Sequence, residues 1–298
     1  MRWTCPVCHE SLVLTQQAAR CSNNHSFDRA KQGYYNLLLA NQKRSQNPGD
    51  GREMMAARHA FLAAGHYRPL ADALVSMVSR CADDQSSFKV LDVGCGEGYY
   101  TGRVARAITL VSPFAEVAGL DISRDALKVA SRDNPEQCFV VASGYQLPVA
   151  DHELDLIMRV FAPGAAEEAL RVLKPDGFLV VAYPGPRHLY EVRQQLYDEV
   201  KPYQLPPIPQ GFTLLDEQAV SFDILLEDQQ QIQQLLAMTP FYWRGKREAK
   251  TVLAELTQLQ VSADFLICCY GVGNDNYGDA YDQTSAASYS ENELGRND

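Results

Sequence analysis

Between Phe88 and Val180 short apolar runs alternate with longer stretches of helical spacing. The runs Phe88–Val93, Ala118–Ile122, Phe139–Ser143 and Leu154–Ile157 are short, rich in β-branched residues and bounded by polar residues or glycine, so each predicts a buried strand. Tyr99–Ile108 carries a helical pattern between the first two. Arg171–Val180 reads as a helix end, a Pro-Gly turn and a fifth strand. Upstream, Glu53–Ala64 has helical spacing closed by Gly65, and Pro69–Ser79 is a Pro-started helix. Downstream, Glu191–Val200 predicts a helix stopped by Pro202, before a Pro-rich break at 206–209. Val220, Phe222 and Ile224 alternate with polar residues as in a strand, Glu227–Ala237 looks helical, and Val261–Tyr270 predicts a last strand. The last two strands would form the antiparallel end of an otherwise parallel sheet. The expected class is α/β.

The first of these strands runs into Asp92-Val93-Gly94-Cys95-Gly96-Glu97-Gly98. Glycines here let the backbone turn sharply into the helix and approach a ligand without Cβ obstruction. No Lys-Ser/Thr follows, so a phosphate-cradling loop is excluded. Asp121 ends the second strand roughly twenty residues on, where a doubly wound sheet places an acid to accept hydrogen bonds from ribose hydroxyls. The pattern D-x-G-C-G-x-G and the strands after it resemble class I S-adenosylmethionine methyltransferases, with their Rossmann-like sheet. Ser143 departs from that resemblance, standing where many such enzymes carry an adenine-contacting Asp.

The chain has 298 residues, 46% hydrophobic and 21% charged, with a formal charge of −10. That is enough for a well-buried core and argues against general nucleic-acid binding. The acidity is uneven: residues 1–50 carry a net +3, from Arg2, Arg20, Arg29, Lys31, Lys43 and Arg44 against Glu10, Asp28 and Asp50. No apolar run is long enough to span a bilayer and the start lacks a signal core, so no membrane association and a cytoplasmic location are expected. In a reducing compartment Cys5, Cys8, Cys21 and His25 are more consistent with a metal site than with disulfides. Two close pairs about a dozen residues apart can wrap tetrahedrally round Zn2+. His9 is an alternative imidazole, but it adjoins Cys8 and completes a second loop poorly. Cys81, Cys95, Cys138, Cys268 and Cys269 read as core fillers.

The zinc ligands, the run Phe27–Leu38, the segment Lys43–Asp50, Glu53–Arg58, Phe61–Leu70 and the Cys-Gly-Glu-Gly-Tyr-Tyr turn together resemble the 23S rRNA (guanine-N1)-methyltransferases of the RlmA type, from Cys5 to about Tyr270. The resemblance implies a zinc-binding module at residues 1–40, connecting helices at 41–80 and the methyltransferase domain at 81–270. It implies S-adenosylmethionine contacts by Tyr67, Cys95, Gly96 and His188, joining Asp92, Gly94 and Asp121. It also implies 23S rRNA as substrate and a homodimer. Lys43 and Arg44, in the basic amino-terminal region, are candidates for the RNA backbone. Trp243 and Arg244, in an aromatic cluster, are candidates for stacking an unpaired base or for plugging the core. The loop Arg159-Val160-Phe161-Ala162-Pro163 lacks the Asn/Asp-Pro-Pro-aromatic acceptor of amino-methylating enzymes and leaves Arg159 as a candidate for guanine O6. No general base is identified. Rival readings are a small-molecule methyltransferase of quinone or drug type, and a non-catalytic ribosome-assembly protein. Residues 271–298, with six acids against Arg296, are expected to be a disordered tail.

Overall fold

The computed structural model describes residues 1–39, 51–83, 85–239 and 247–273. Lys43, Arg44, Trp243, Arg244 and the acidic stretch from residue 274 onward lie outside these ranges. In chain order, β1 (Val13–Leu14), β2 (Ala18–Arg20) and β3 (Ser26–Asp28) form a small antiparallel sheet, and β4 (Tyr35–Asn36) follows. Helices α1 (Arg52–Ala63) and α2 (Arg68–Cys81) lead to β5 (Lys89–Val93), α3 (Tyr99–Ile108), β6 (Glu116–Asp121), α4 (Arg124–Asp133) and β7 (Cys138–Val141). Then come β8 (Leu154–Val160), α5 (Ala166–Val172), β9 (Leu173–Pro184) and α6 (Tyr190–Leu196). The chain continues through β10 (Phe212–Leu226), α7 (Gln229–Ala237), α8 (Arg247–Glu255) and β11 (Leu259–Val272).

The main sheet has eight strands in the order β10-β11-β9-β8-β5-β6-β7-β4. All pairs from β4 to β9 are parallel, and β11 and β10 close the sheet antiparallel, as the alternating pattern after residue 220 predicts. The chain leaves β5 toward β6 on one side and reaches β8 on the other. Their carboxyl ends therefore open a crevice at β5, which is where doubly wound sheets take ligands.

Both faces are covered, and the buried positions of the central strands are correspondingly apolar apart from Asp92 in β5 and Asp155 and Arg159 in β8. Val90, Leu156, Met158 and Val180 point to the face packed by α1, α2, α3, α6 and α7. Leu91, Val93, Ile157, Leu179 and Val181 point to the other face, where Trp3, Cys5, Leu12, Ala19, Cys21, Tyr35 and Leu37 from the amino-terminal segment bury them. The small sheet is thus part of the same core. β4 adds to the main sheet by pairing Tyr35 with Val140 and Asn36 with Val141, and the Leu37 N–H donates to the Val141 carbonyl at 3.0 Å. Nothing in a two-residue strand marks it in the sequence.

Two expectations need correction. The Pro-Gly turn at Lys174–Gly177 does not separate helix from strand; it is a bulge inside β9, whose pairing with β8 jumps from Leu154–Leu173 to Leu156–Phe178. The predicted helix 191–200 ends at Leu196, because Tyr197 turns to extended backbone well before Pro202.

Because the small sheet and the main sheet share one core, they should unfold together. Leu37 is 2% exposed. Leu37→Ala is expected to destabilise the protein by about 2–5 kcal/mol. Trp3 fluorescence in a Trp243→Phe background and far-ultraviolet circular dichroism should report one coincident denaturant transition; separate transitions would show an independent module.

Candidate active site and metal centre

Two tight loops of the amino-terminal segment bring four ligand-type side chains together. In the first, the His9 N–H donates to the Cys5 carbonyl at 2.8 Å; in the second, the Asn24 N–H donates to the Cys21 carbonyl at 3.1 Å. Each loop contains one residue at positive φ, His9 and Asn24, both at 62°. His9 therefore shapes the loop and lies outside the cluster, which consists of Cys5, Cys8, Cys21 and His25 with ligand atoms within 4.8 Å of one another. His25 Nδ1 lies 3.3 Å from Cys8 Sγ, 3.5 Å from Cys21 Sγ and 3.6 Å from Cys5 Sγ, and the Cys8 and Cys21 sulfurs are 3.6 Å apart. A tetrahedral Zn2+ with Zn–S near 2.3 Å and Zn–N near 2.0 Å has edges of about 3.5–3.8 Å. The residues fit zinc. Hydrogen bonds, from the Glu10 backbone first and then Asn23, hold the Cys8 thiol down at about 6, closer to the thiolate a metal requires.

The second site is the crevice at β5, a cleft of about 880 Å³. Asp92, Gly94, Cys95, Gly96, Asp121, Tyr67 and His188, drawn from four separate stretches of chain, all line it. The turn after β5 is stitched to β6: the N–H groups of Gly94 and Cys95 donate to the Leu120 carbonyl at 2.7 and 3.0 Å. Gly94 has φ +79°, and a Cβ there would sit 2.4 Å from the Ala162 Cβ, so the loop after β8 closes directly on the turn. Asp121 is oriented on both oxygens, Oδ2 accepting the Gly96 N–H at 2.9 Å and Oδ1 the Ser123 N–H at 2.7 Å. Ser143 lines the cleft, and its hydroxyl accepts the Tyr145 N–H at 3.2 Å.

The electrostatics of the cleft wall follow from burial. Asp92 is 1% exposed; Thr101 Oγ1 donates to its Oδ2 at 2.6 Å, while Oδ1 has no partner among the described residues. Burial raises this carboxyl to about 7. Glu97 beside it is also pushed up by burial, with Oε1 unpartnered. The Cys95 thiol is raised well above its ordinary value, again by burial, so it stays protonated and is no nucleophile. Burial, with Arg193 nearby, drops His188 to about 3. The imidazole is therefore neutral. Its Nδ1 accepts the Asp264 N–H at 3.4 Å, which leaves the ring proton on Nε2, 3.5 Å from the Tyr67 hydroxyl. Tyr67 is wedged edge-on between Phe61 and Phe265, with ring centroids at 5.2 and 5.0 Å.

Arg159 is not brought to the cleft wall. It is 6% exposed, its Nη2 donates to the Ala165 carbonyl at 3.0 Å, its Nε has no partner, and a Cβ on Gly164 would lie 2.5 Å from its Cζ. The loop after β8 covers it, so the expected reach to guanine O6 is absent from this arrangement.

Comparison with known proteins places both sites in one family. Residues 3–46 match the amino-terminal zinc ribbon of RlmA, and residues 84–253 match a methyltransferase domain. A 23S rRNA (guanine(748)-N(1))-methyltransferase from Streptomyces fradiae is 30% identical over 276 residues, 89% of this chain and 95% of the relative. A relative from Micromonospora griseorubida, named for 23S rRNA (guanine-N(1)-)-methyltransferase activity, is 38% identical over 207 residues, covering 64% of this chain and 68% of its own length. The chain belongs to the 23S rRNA (guanine-N1)-methyltransferase family. By contrast, a demethylmenaquinone methyltransferase from Renibacterium salmoninarum matches at 35% identity over only 105 residues, 32% of this chain and 40% of that one. As a member of this family the protein takes S-adenosylmethionine and zinc as its cofactors.

Several cleft residues escaped the reading of this family member's sequence: Arg58, Tyr145, Phe161, Tyr183 and Tyr203 also line the cleft. Only Phe161 carried a usable signal, standing at the end of a strand that opens on the crevice.

Two outcomes are expected of these sites. Metal analysis should find one zinc per chain, lost in Cys8→Ser; because Cys5 and Cys21 belong to the shared core, metal removal should also lower the melting temperature of the main sheet. A zinc-free protein with unchanged melting would contradict this. The second concerns Asp92, whose carboxyl sits at about 7 when folded against an ordinary value of 3.8. Between those values the folded state holds a proton that the unfolded chain releases, so stability declines as pH rises through this window. Asp92→Asn should remove that slope, and its stability relative to the parent should gain up to about 4 kcal/mol between pH 4 and pH 8 in denaturant melts without cofactor.

Proposed function

We propose that the protein transfers a methyl group from S-adenosylmethionine to N1 of a guanine in a hairpin loop of 23S rRNA. The observation that supports this most is the continuous similarity to the Streptomyces fradiae enzyme across metal module and methyltransferase sheet together. The quinone-methylating relative matches only about a third of the chain, so small-molecule chemistry leaves the metal module without a purpose.

S-adenosylmethionine supplies an electrophilic sulfonium methyl, which needs no activation by the protein. The work falls on the acceptor. Guanine N1 carries a proton and is weakly nucleophilic, so the base has to be extruded, set in line with the methyl and helped to lose that proton. In this reading Asp121, oriented by two backbone donors, accepts the ribose hydroxyls. Gly94, Cys95 and Gly96 present bare backbone to the cofactor, beside Asp92. The neutral His188–Tyr67 pair forms the wall opposite, a contact that stays uncharged across the working pH range. Cys95, protonated by burial, has no covalent role. Lys43 and Arg44 hold the phosphate backbone, and Trp243 and Arg244 stack an unpaired loop base. The chain acts in the cytoplasm as a homodimer whose two basic amino-terminal modules frame one RNA cleft.

The direct test mixes purified protein, labelled S-adenosylmethionine and unmodified 23S rRNA and maps the product by reverse-transcription stop, which N1 methylation causes. Label transfer with no stop would move the reaction to another atom. Asp121→Ala should weaken cofactor binding by about 1–3 kcal/mol in calorimetry. Changing Lys43 and Arg44 together to Ala should leave cofactor affinity intact, weaken RNA binding and flatten the dependence of log affinity on log salt, because fewer counterions are released. An unchanged salt slope would remove these two side chains from the RNA surface.

A further inference from the structure

We propose that Phe161 is the platform on which the target base stacks once it has left the RNA. The inference rests on the base-methylation reading above and assigns the acceptor side of the same cleft. Phe161 follows the last residue of β8 and has φ +54°. L-residues rarely adopt that region, and for a bulky aromatic it carries a cost that glycine would avoid. The backbone is held there from two sides. The Phe161 N–H donates to the Ala182 carbonyl on β9 at 3.2 Å, and Ala162 seats against Gly94.

That strained backbone displays an aromatic ring to solvent. Phe161 is 46% exposed and Tyr145, beyond Ser143 on the other side of the cleft, 57%, whereas Tyr67, Tyr100 and His188 are at 4%, 9% and 8%. Its ring is buttressed by Phe265, with centroids 5.5 Å apart, and lies nearly parallel to His188, at 19° and 6.4 Å. Folding gains little from an exposed ring on an unfavourable backbone. A planar ligand gains a preset π face.

The sheet order says which ligand. Asp121 ends β6 and Ser143 follows β7, both on one side of β5, so the adenosine half of the cofactor runs that way from the glycine turn. Phe161 follows β8, on the opposite side of β5. It therefore faces the methyl end from the side left to the acceptor. The cleft is about 880 Å³, toward the top of the roughly 300–1,000 Å³ range of ligand pockets.

The test measures methylation of an unmodified 23S rRNA transcript, cofactor affinity by calorimetry, and thermal melting for four variants. Phe161→Ala and Phe161→Gly should lower kcat/KM for the transcript about five- to hundredfold, the range expected for loss of one base–aromatic stack. Phe161→Tyr and Phe161→Trp, which keep a π face, should retain most activity. Cofactor affinity should be unchanged in all four, and each should melt well above the assay temperature, which separates loss of the stack from unfolding. Full activity of Phe161→Gly, equal damage in Phe161→Tyr and Phe161→Ala, or a parallel loss of cofactor affinity would each overturn the stacking role while leaving the methylation reading standing. A parent protein that does not methylate the transcript would overturn that reading, and this inference with it.

Discussion

The second face of the main sheet is buried by a metal-binding segment together with helix α5, and the rest of the molecule depends on that packing. An open parallel sheet needs apolar cover on both faces. On one side helices alone provide it. On the other, Leu91, Val93, Ile157 and Leu179 share one buried cluster with Ala169 and Val172 of α5, with Trp3, Leu12, Ala19 and Leu37, and with Cys5 and Cys21 of the zinc cluster. A segment with strands of two or three residues has little independent stability. The metal ties its loops into a shape that can pack, and packing against the sheet completes its core. The metal module and the methyltransferase sheet are therefore mechanically joined, with Leu37 one residue beyond the strand that adds the amino-terminal segment to the sheet edge.

A second constraint is the closeness of three loops at the carboxyl ends of β5, β6 and β8. The glycine turn hangs from the Leu120 carbonyl, Asp121 reaches back to the Gly96 N–H, and Ala162 fills the space that a side chain at residue 94 would take. The cleft is thus preformed by backbone contacts, and the ionisable groups in its wall take their state from burial. Asp92 and Glu97 are pushed toward protonation, and His188 is held neutral.

In the proposed reading, the sheet order divides the cleft between two ligands, with the adenosine half on the β6 and β7 side and the acceptor beside Phe161 on the β8 side. The similarity to the rRNA methyltransferase extends over 89% of the chain and that to the quinone methyltransferase over 32%.

Much of this was legible in the chain itself. Short β-branched runs and the Asp92–Gly98 turn specify strands and crevice because local backbone preference and strand period act over a few residues, and the cofactor was legible through the resemblance that this turn carries. The Cys5, Cys8, Cys21 and His25 spacing specified zinc for the same reason: each ligand pair sits in one tight loop. What the chain did not disclose depends on contacts between distant segments. That β4 joins the main sheet, that Lys174–Gly177 is a bulge, and that Arg159 is covered by its own loop are set by register and packing. The positive φ of Phe161 is likewise imposed from outside, by Ala182 on a neighbouring strand and by the seat of Ala162 on Gly94. Local sequence governs what a segment prefers, but only the assembled sheet decides which preferences it overrides.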